Sequence, residues 1–186
     1  MADLTTLAKA REWLGVPASV TTDDVLISRL VSASSDYVQT WLNRLIPLQS
    51  YTETRDGTGG RKMLFANYPV TTVASVQIDG LAVPLSTSVS QDGYVFSGTV
   101  LSLRGGTYKF SRDTQNVVFT YMAGYPVTPN EIEQSCLELV GMRYKEKDRI
   151  GMVSKGLAGE TTTFTQKDMT DAIQSTLTNY KKVIPV

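Results

Sequence analysis

Near the start of the chain, apolar positions recur every three to four residues. Leu4, Leu7, Ala8 and Leu14 follow Asp3 at that spacing with Arg11 among them, and Gly15 and Pro17 end the run. This predicts a short helix. A second start follows at Thr21-Thr22-Asp23-Asp24, whose hydroxyls and carboxylates can accept the open N–H groups of a first turn. From there Leu26, Leu30, Ala33, Tyr37 and Trp41 make one apolar stripe, flanked by Ile27, Val31, Val38, Leu42 and Leu45. Pro47 closes the pattern. The spacing predicts a helix of about twenty residues, apolar on more than one side, as in a helix packed by two neighbours.

The period then changes. Between residues 50 and 122 the chain offers short alternating runs: SYTETRD, KMLFA, TTVASVQID, GYVFS, TVLSLR, TYKFSR and NVVFTYM. DGTGG, DG, QDG and RGG separate them, so the pattern predicts antiparallel strands joined by hairpins. Helical spacing returns after Thr128-Pro129-Asn130-Glu131, where Thr128 can cap and Pro129 can take the first helical position. Ile132, Cys136, Leu139, Val140, Arg143 and Tyr144 carry it to about Asp148. The next stretch, GMVSKGLAGETTTFTQ, has neither period and is too long for an ordinary connection. Residues 150–167 are therefore expected to form a flexible loop. A last amphipathic helix begins near Asp168, with Met169, Ile173, Leu177, Tyr180 and Ile184 on one face.

The fold class this predicts is α+β. A small helical bundle of two N-terminal and two C-terminal helices (residues 1–48 and 128–186) carries an inserted antiparallel β-region (residues 49–127).

Composition narrows the chemistry. The 186 residues are 41% hydrophobic and 19% charged, which is the balance of a globular protein, not a disordered one. The formal net charge is zero, so no whole-molecule field draws the chain onto nucleic acid or an anionic membrane. Residues 141–186 are mildly basic, with eight basic and five acidic groups. Histidine is absent, which removes the commonest general base and zinc ligand. The lone Cys136 excludes a disulfide within the chain and fits a reducing compartment. No basic start precedes an apolar stretch, and no apolar run approaches membrane length. A soluble protein made and used in a cytosol is expected.

Four features could carry chemistry. RDGTGGRK at 55–62 superficially resembles a phosphate loop, but Lys62 leads into MLFANYP, a strand pattern, instead of a helix whose N-terminus could hold phosphate. It is expected to be a hairpin turn, with Asp56-Gly57 and Gly59-Gly60 supplying positive φ. RGGTYK at 104–109 follows the same logic. Cys136 lies on the apolar stripe of its helix and is expected to be a buried small hydrophobe. The pairs Tyr94/Phe96, Tyr108/Phe110 and Phe119/Tyr121 each place two rings on one face of a strand. They are expected to pack a core, with stacking on a ligand as the rival. No catalytic residues, metal ligands or cofactor are expected.

The order of these pieces resembles that of the head–tail connector (adaptor, or head-completion) proteins of tailed bacteriophages. The likeness is carried by LAKAREWLGVP, by TTDDVLISRLVSASSDYVQTWLNR, and by DGTGG with the following MLFANYPVTTVASVQIDG. FTYMAGYPVTPNEIEQSCLELVGMRYKEKDR and GETTTFTQKDMTDAIQSTLTNYKKV complete it. The family core is usually a helical bundle with a small hairpin, so the segment from about Val83 to Asp113 reads as an added β element.

The resemblance implies a mechanical, non-enzymatic role at the virion's head–tail interface, after synthesis in the bacterial cytoplasm. Copies would close into a ring of about twelve beneath the portal protein, extend the DNA channel and receive a tail or stopper component. DNA would pass without tight binding, and no membrane would be involved. It also implies contacts to portal or neighbour through loop 150–167 (Met152, Val153, Leu157, Phe164) and the last helix (Met169, Ile173, Leu177, Tyr180, Ile184). The rival from another class is a virion binding module whose β-region recognises a glycan or protein through exposed aromatics.

Overall fold

Residues 2–147 and 169–182 are described by the computed structural model, together with the backbone of 154–157 and 160–163. The described chain divides into two units: Met1–Ile46 with Thr128–Val186, and Pro47–Val127.

In the first unit, α1 (Leu7–Leu14) starts at Thr6, whose hydroxyl accepts the Lys9 N–H. It ends at Gly15, which takes φ 70°, a conformation costly for any residue with a Cβ. Arg11 then organises the connection: Nη2 donates to the carbonyls of Pro17, Ala18 and Val20, and Nε lies 3.3 Å from Asp24 Oδ1.

The long helix α2 (Asp24–Leu42) starts where its sequence predicts, but its cap and its end differ from expectation. Asp23 makes no side-chain cap bond. Its carboxylate instead accepts from the Tyr144 hydroxyl and, at 3.1 Å, from Lys147 Nζ. The helix stops short of Leu45 because Asn43 adopts the left-handed conformation (φ 55°), which asparagine tolerates better than most. Its buried face is Ile27, Val31, Ser34, Ser35, Val38, Gln39 and Leu42. The apolar residues expected to flank the main stripe are therefore the ones turned inward.

α3 (Asn130–Glu146) begins one residue later than expected, with Pro129 in the capping position and no side-chain cap. Ile132, Cys136, Leu139 and Val140 are buried as its spacing predicts. Ala10, Ile27, Val31, Leu137 and Val140 form one apolar cluster joining α1, α2 and α3.

Polar groups lock this core. Buried Gln39 donates to Ala2 O (3.1 Å) and Ser35 O, and accepts the Ile46 N–H. Ser35 Oγ accepts the Leu4 N–H at 2.9 Å. The last helix, α4 (Asp171–Thr178), is capped by Thr170 and is shorter than its sequence pattern. Lys182 N–H donates to Leu42 O just beyond it.

Where an aperiodic segment is expected, the structure has a ladder: β8 (Ser154–Leu157) pairs antiparallel with β9 (Glu160–Thr163). Short extended runs give no readable alternation, yet ETTT is rich in β-branched residues that favour extended backbone.

The second unit has two antiparallel sheets around one core. The first has the order β1 (Gln49–Arg55), β7 (Val117–Ala123), β3 (Val70–Ile78), β4 (Leu81–Ala82). The second has the order β2 (Lys62–Leu64), β6 (Val100–Arg104), β5 (Gly93–Phe96). Central β7 alternates without exception between buried and half-buried positions, with Val117, Phe119, Tyr121 and Ala123 inward. Those residues meet Met63, Tyr94, Leu101 and Leu103 from the other sheet and Phe110 from a connection. Phe65 packs edge-on against Phe119, with ring centroids 5.5 Å apart.

Asp79-Gly80 forms the two-residue hairpin its sequence announces, with both φ angles positive, between Ile78 and its partner Leu81. Two other readings need correcting. DGTGG is no hairpin turn, because β1 and β2 belong to different sheets. TYKFSR is no strand: Phe110 exchanges main-chain bonds with Gly59 and Gly60, so its backbone is satisfied by the glycine loop and not by a ladder.

Candidate functional site

The glycine loops can be judged by where their N–H groups go, since a phosphate cradle needs several of them open and convergent. In DGTGG, Gly57 N–H donates to Asp113 O and Asn116 Oδ1, Gly59 N–H to Phe110 O, and Gly60 N–H to Thr58 Oγ1. Only Gly59 has positive φ. Gly57 is needed for a different reason: a Cβ there would lie 1.7 Å from Ser111 O. In the second loop, Asp92 Oδ2 accepts the Thr107 N–H at 2.9 Å and the Thr107 hydroxyl. These bonds, the hydroxyl's first, hold the Asp92 carboxyl below its ordinary value. The chain's own anion already occupies that turn. Neither loop offers a phosphate site.

The other chemical candidates are likewise structural. Cys136 is fully buried, with Ser35 Oγ 3.6 Å from its sulfur, and burial pushes its thiol up to about 11. It is a core residue. Of the six paired aromatics, Tyr94, Phe110, Phe119 and Tyr121 are buried, and Phe96 and Tyr108 pack against the same core. An exposed stacking platform for a glycan is not available from them.

Tyr121 donates its hydroxyl to Glu53 Oε1, and Asn67 donates to the same hydroxyl oxygen from its backbone and its side chain. Arg55 closes the network on Glu53 Oε2 at 2.8 Å. Burial first, then the bond to Glu53, pushes the Tyr121 phenol well above its usual range. Among the described residues no group of three or more His, Cys, Asp or Glu could hold a metal. Among them, too, no helix is long and apolar enough to cross a membrane.

The expected contact residues fall in three places. Met169, Ile173 and Leu177 are buried in the subunit itself, so they cannot present a surface. The apolar side of α4's short amphipathic stripe packs on α3. Tyr180 is half-buried and donates to Glu131 Oε2 at 2.7 Å. Leu157 lies in β8, whose backbone alone is described, and Met152, Val153, Phe164 and Ile184 lie outside the described residues.

The main apolar stripe expected on α2 is the face that the single chain leaves partly open. Leu26, Leu30, Tyr37 and Trp41 are half-buried and Ala33 is exposed. Cations shield its rings. The Arg143 guanidinium lies 5.0 Å from the Tyr37 ring centroid, and Lys181 Nζ lies 4.4 Å from that of Trp41. Small Ser34 and Ser35 beside Ile27, Val31 and Val38 were the available signal, because they let the other stripe approach α3 closely.

No curated protein sequence matches this chain significantly. Its fold is similar to those of chains in particles of the gene transfer agent (GTA). One is from a "Neck of empty GTA particle computed with C6 symmetry", at TM-score 0.61 and 14% identity, covering 98% of this chain and 92% of that one. A second is from a "Neck of native GTA particle computed with C12 symmetry", at TM-score 0.57 and 12% identity, covering 100% and 96%. A third, from a "Virion of native gene transfer agent (GTA) particle", has TM-score 0.58 and 12% identity, covering 98% and 92%. Residues 3–183 match the family model of the head completion protein, and the chain belongs to that family.

Proposed function

We propose that this chain is a structural, non-enzymatic subunit of the head–tail neck of a phage-like virion. About twelve copies close into a ring beneath the portal. The ring prolongs the DNA channel and receives a tail or stopper component. The family match over residues 3–183 carries this reading. The fold's similarity to chains of GTA necks, one computed with C12 symmetry, supports the location and the copy number.

A ring of this kind needs two different surfaces on each subunit. The cation-shielded second face of α2 is one surface available for it, since its aromatic rings lie only partly covered in the single chain. Portal docking falls to the exposed side of α4, because α4's apolar side is already used. DNA passes without tight binding: the chain's formal charge is zero, and backbone affinity depends on neutralised phosphates. The protein is made in the host cytoplasm and works in the virion.

The test is genetic and structural at once. Particles produced without this chain are expected to contain packaged DNA in heads that carry no tails. Normal tailed particles in its absence would overturn the reading. In the purified state, light scattering with and without portal should show a monomer or weak oligomer that becomes a ring on portal.

A further inference from the structure

Two pieces of β-structure are left without partners. β1 is the end strand of its sheet: all seven residues, Gln49 to Arg55, pair with β7, and no other strand lies beside it. No backbone bond from the opposite side of β1 is made among the described residues. Proteins usually protect such an edge with a bulge, a proline, a lysine or a very short strand. β1 has none of these; its one inward-facing carboxylate, Glu53, is held by the Tyr121 hydroxyl and the Ala66 N–H and leaves the edge backbone open. Its register with β7 is unbroken, its one cation Arg55 is neutralised by Glu53, and Ser50, Thr52 and Thr54 are exposed.

The remaining sheet ends are protected. β4 covers Gln77 and Ile78 of β3, whose remaining outer edge is broken by register shifts at Val70/Thr72 and Val73/Ser75 and is met by Gly98 O at the Val70 N–H and by the Tyr94 hydroxyl at Val73 O. β2 has three residues, and β5 is covered by Pro84–Ser86 through the bonds Tyr94 N–H to Pro84 O and Ser86 N–H to Tyr94 O.

The second orphan is the β8–β9 hairpin. It forms a sheet of two strands by itself. A lone two-stranded hairpin is marginal in water and gains stability by joining a third strand. Within one chain β1 and the hairpin are separate sheets. They also belong to different units, the edge to Pro47–Val127 and the hairpin to the helical unit. A donor on one unit and an acceptor on the other make a contact between unlike surfaces, which is what a closed ring requires.

We infer that β1 accepts the β8–β9 hairpin of a neighbouring copy, so that adjacent subunits share a sheet across their interface. The inference rests on the ring reading above and names the contact that joins its members. The recognition is main chain to main chain, in the manner of strand addition, so it tolerates side-chain change on both partners.

Hydrogen exchange on free subunit and portal-bound ring tests it, because strand geometry imposes a period of two. Alternate β1 amides bond to β7 and should exchange slowly in both states. The intervening ones should exchange fast in the free subunit and at least about tenfold slower in the ring. A second measurement mixes two differently tagged proteins, one Thr52→Cys and one Thr162→Cys, under mild oxidation. Cys136 is buried and stays out of the reaction. A mixed disulfide is expected in excess over that formed by Val89→Cys with Thr162→Cys, a pair that uses an exposed position off the edge. If rings form while the outer β1 amides stay fast and no excess mixed disulfide appears, strand addition is wrong and the ring stands. If no ring forms on portal and no mixed disulfide forms at high concentration, both readings fall.

Discussion

The two units dispose of their apolar residues in different ways. In the β unit, β7 puts every second residue into the core, and facing sheets close over them. In the helical unit, α2 is apolar on two stripes, of which one is buried and the other is left half-open beneath Arg143 and Lys181. A strand has only two sides, so burying one settles the other. A helix can carry a third surface, and here that surface is left half-covered. The β unit thus encloses its apolar side chains and leaves open only the β1 backbone edge, whereas the helical unit leaves an apolar side-chain face half-covered.

This contrast breaks most sharply at Phe119. It is fully buried between the two sheets, against Phe65 and Tyr121. Phe119→Ala should cost roughly 3–5 kcal/mol, the usual range for emptying a core phenylalanine site. Chemical denaturation of the purified chain measures it. A loss below about 1 kcal/mol would mean that the β core is far looser than its packing indicates.

Gly57 tests the loop in the same unit. Its missing Cβ lets Ser111 O approach, and the Asn116 carboxamide bridges the two sides through bonds to Gly57 N–H, Asp79 and Ser111. Gly57→Ala should destabilise by roughly 1–3 kcal/mol, since backbone must move to admit the methyl. Gly106→Ala, with no heavy atom within 4 Å of the new Cβ, should cost much less. Thermal melting of the two variants side by side decides it. Equal losses would show that the close approach at Gly57 is not the constraint.

How far the sequence foretold all this follows from the same geometry. Period-2 runs such as NVVFTYM became strands with the expected inward residues, and Asp79-Gly80 became the expected hairpin. TYKFSR alternates as well, yet its main chain bonds to a glycine loop remote in sequence, and local pattern carries no information about that partner. DGTGG was recognisable as lacking a phosphate site, but the separation of β1 and β2 into two sheets depends on long-range pairing. The α+β class was legible throughout. The inward face of α2 was not, because both stripes are apolar and the choice was made by Ser34 and Ser35 allowing α3 to come near. Likewise Asp23 looked like a cap and instead serves Tyr144 and Lys147, more than a hundred residues away.

The α2 surface should behave in the opposite manner to Phe119. Tyr37→Ala and Trp41→Ala remove half-buried rings, each with one cation over it. Each should cost roughly 0.5–2 kcal/mol of subunit stability, from partial burial and a cation–π contact. Their larger effect should be on ring formation, measured by light scattering on portal. Variants as unstable as Phe119→Ala, or variants that assemble normally, would remove the distinction between a closed core and a reserved surface.

The smallest effect expected is electrostatic and belongs to the β unit. Asp92 is held below its ordinary value of 3.8, first by the Thr107 hydroxyl and then by the Thr107 N–H. Asp79 is lowered in the same way by Ser111 and Asn116. A carboxyl with a depressed folded-state pKa contributes stability that is fully present above its unfolded value. That stability is lost as pH falls through the folded value. Both groups lie in solvated turns, so each contribution is screened and modest. Stability should therefore be flat with respect to these two groups near neutrality and should decline below about pH 4. Asp92→Asn keeps an oxygen for the Thr107 N–H but cannot titrate, so it should lower stability slightly at pH 7 and flatten the acid limb. Denaturation midpoints of parent and variant from pH 7 to pH 2.5 measure the difference. Parallel curves across that range would show that the Asp92 turn contributes nothing to the acid sensitivity of the β unit.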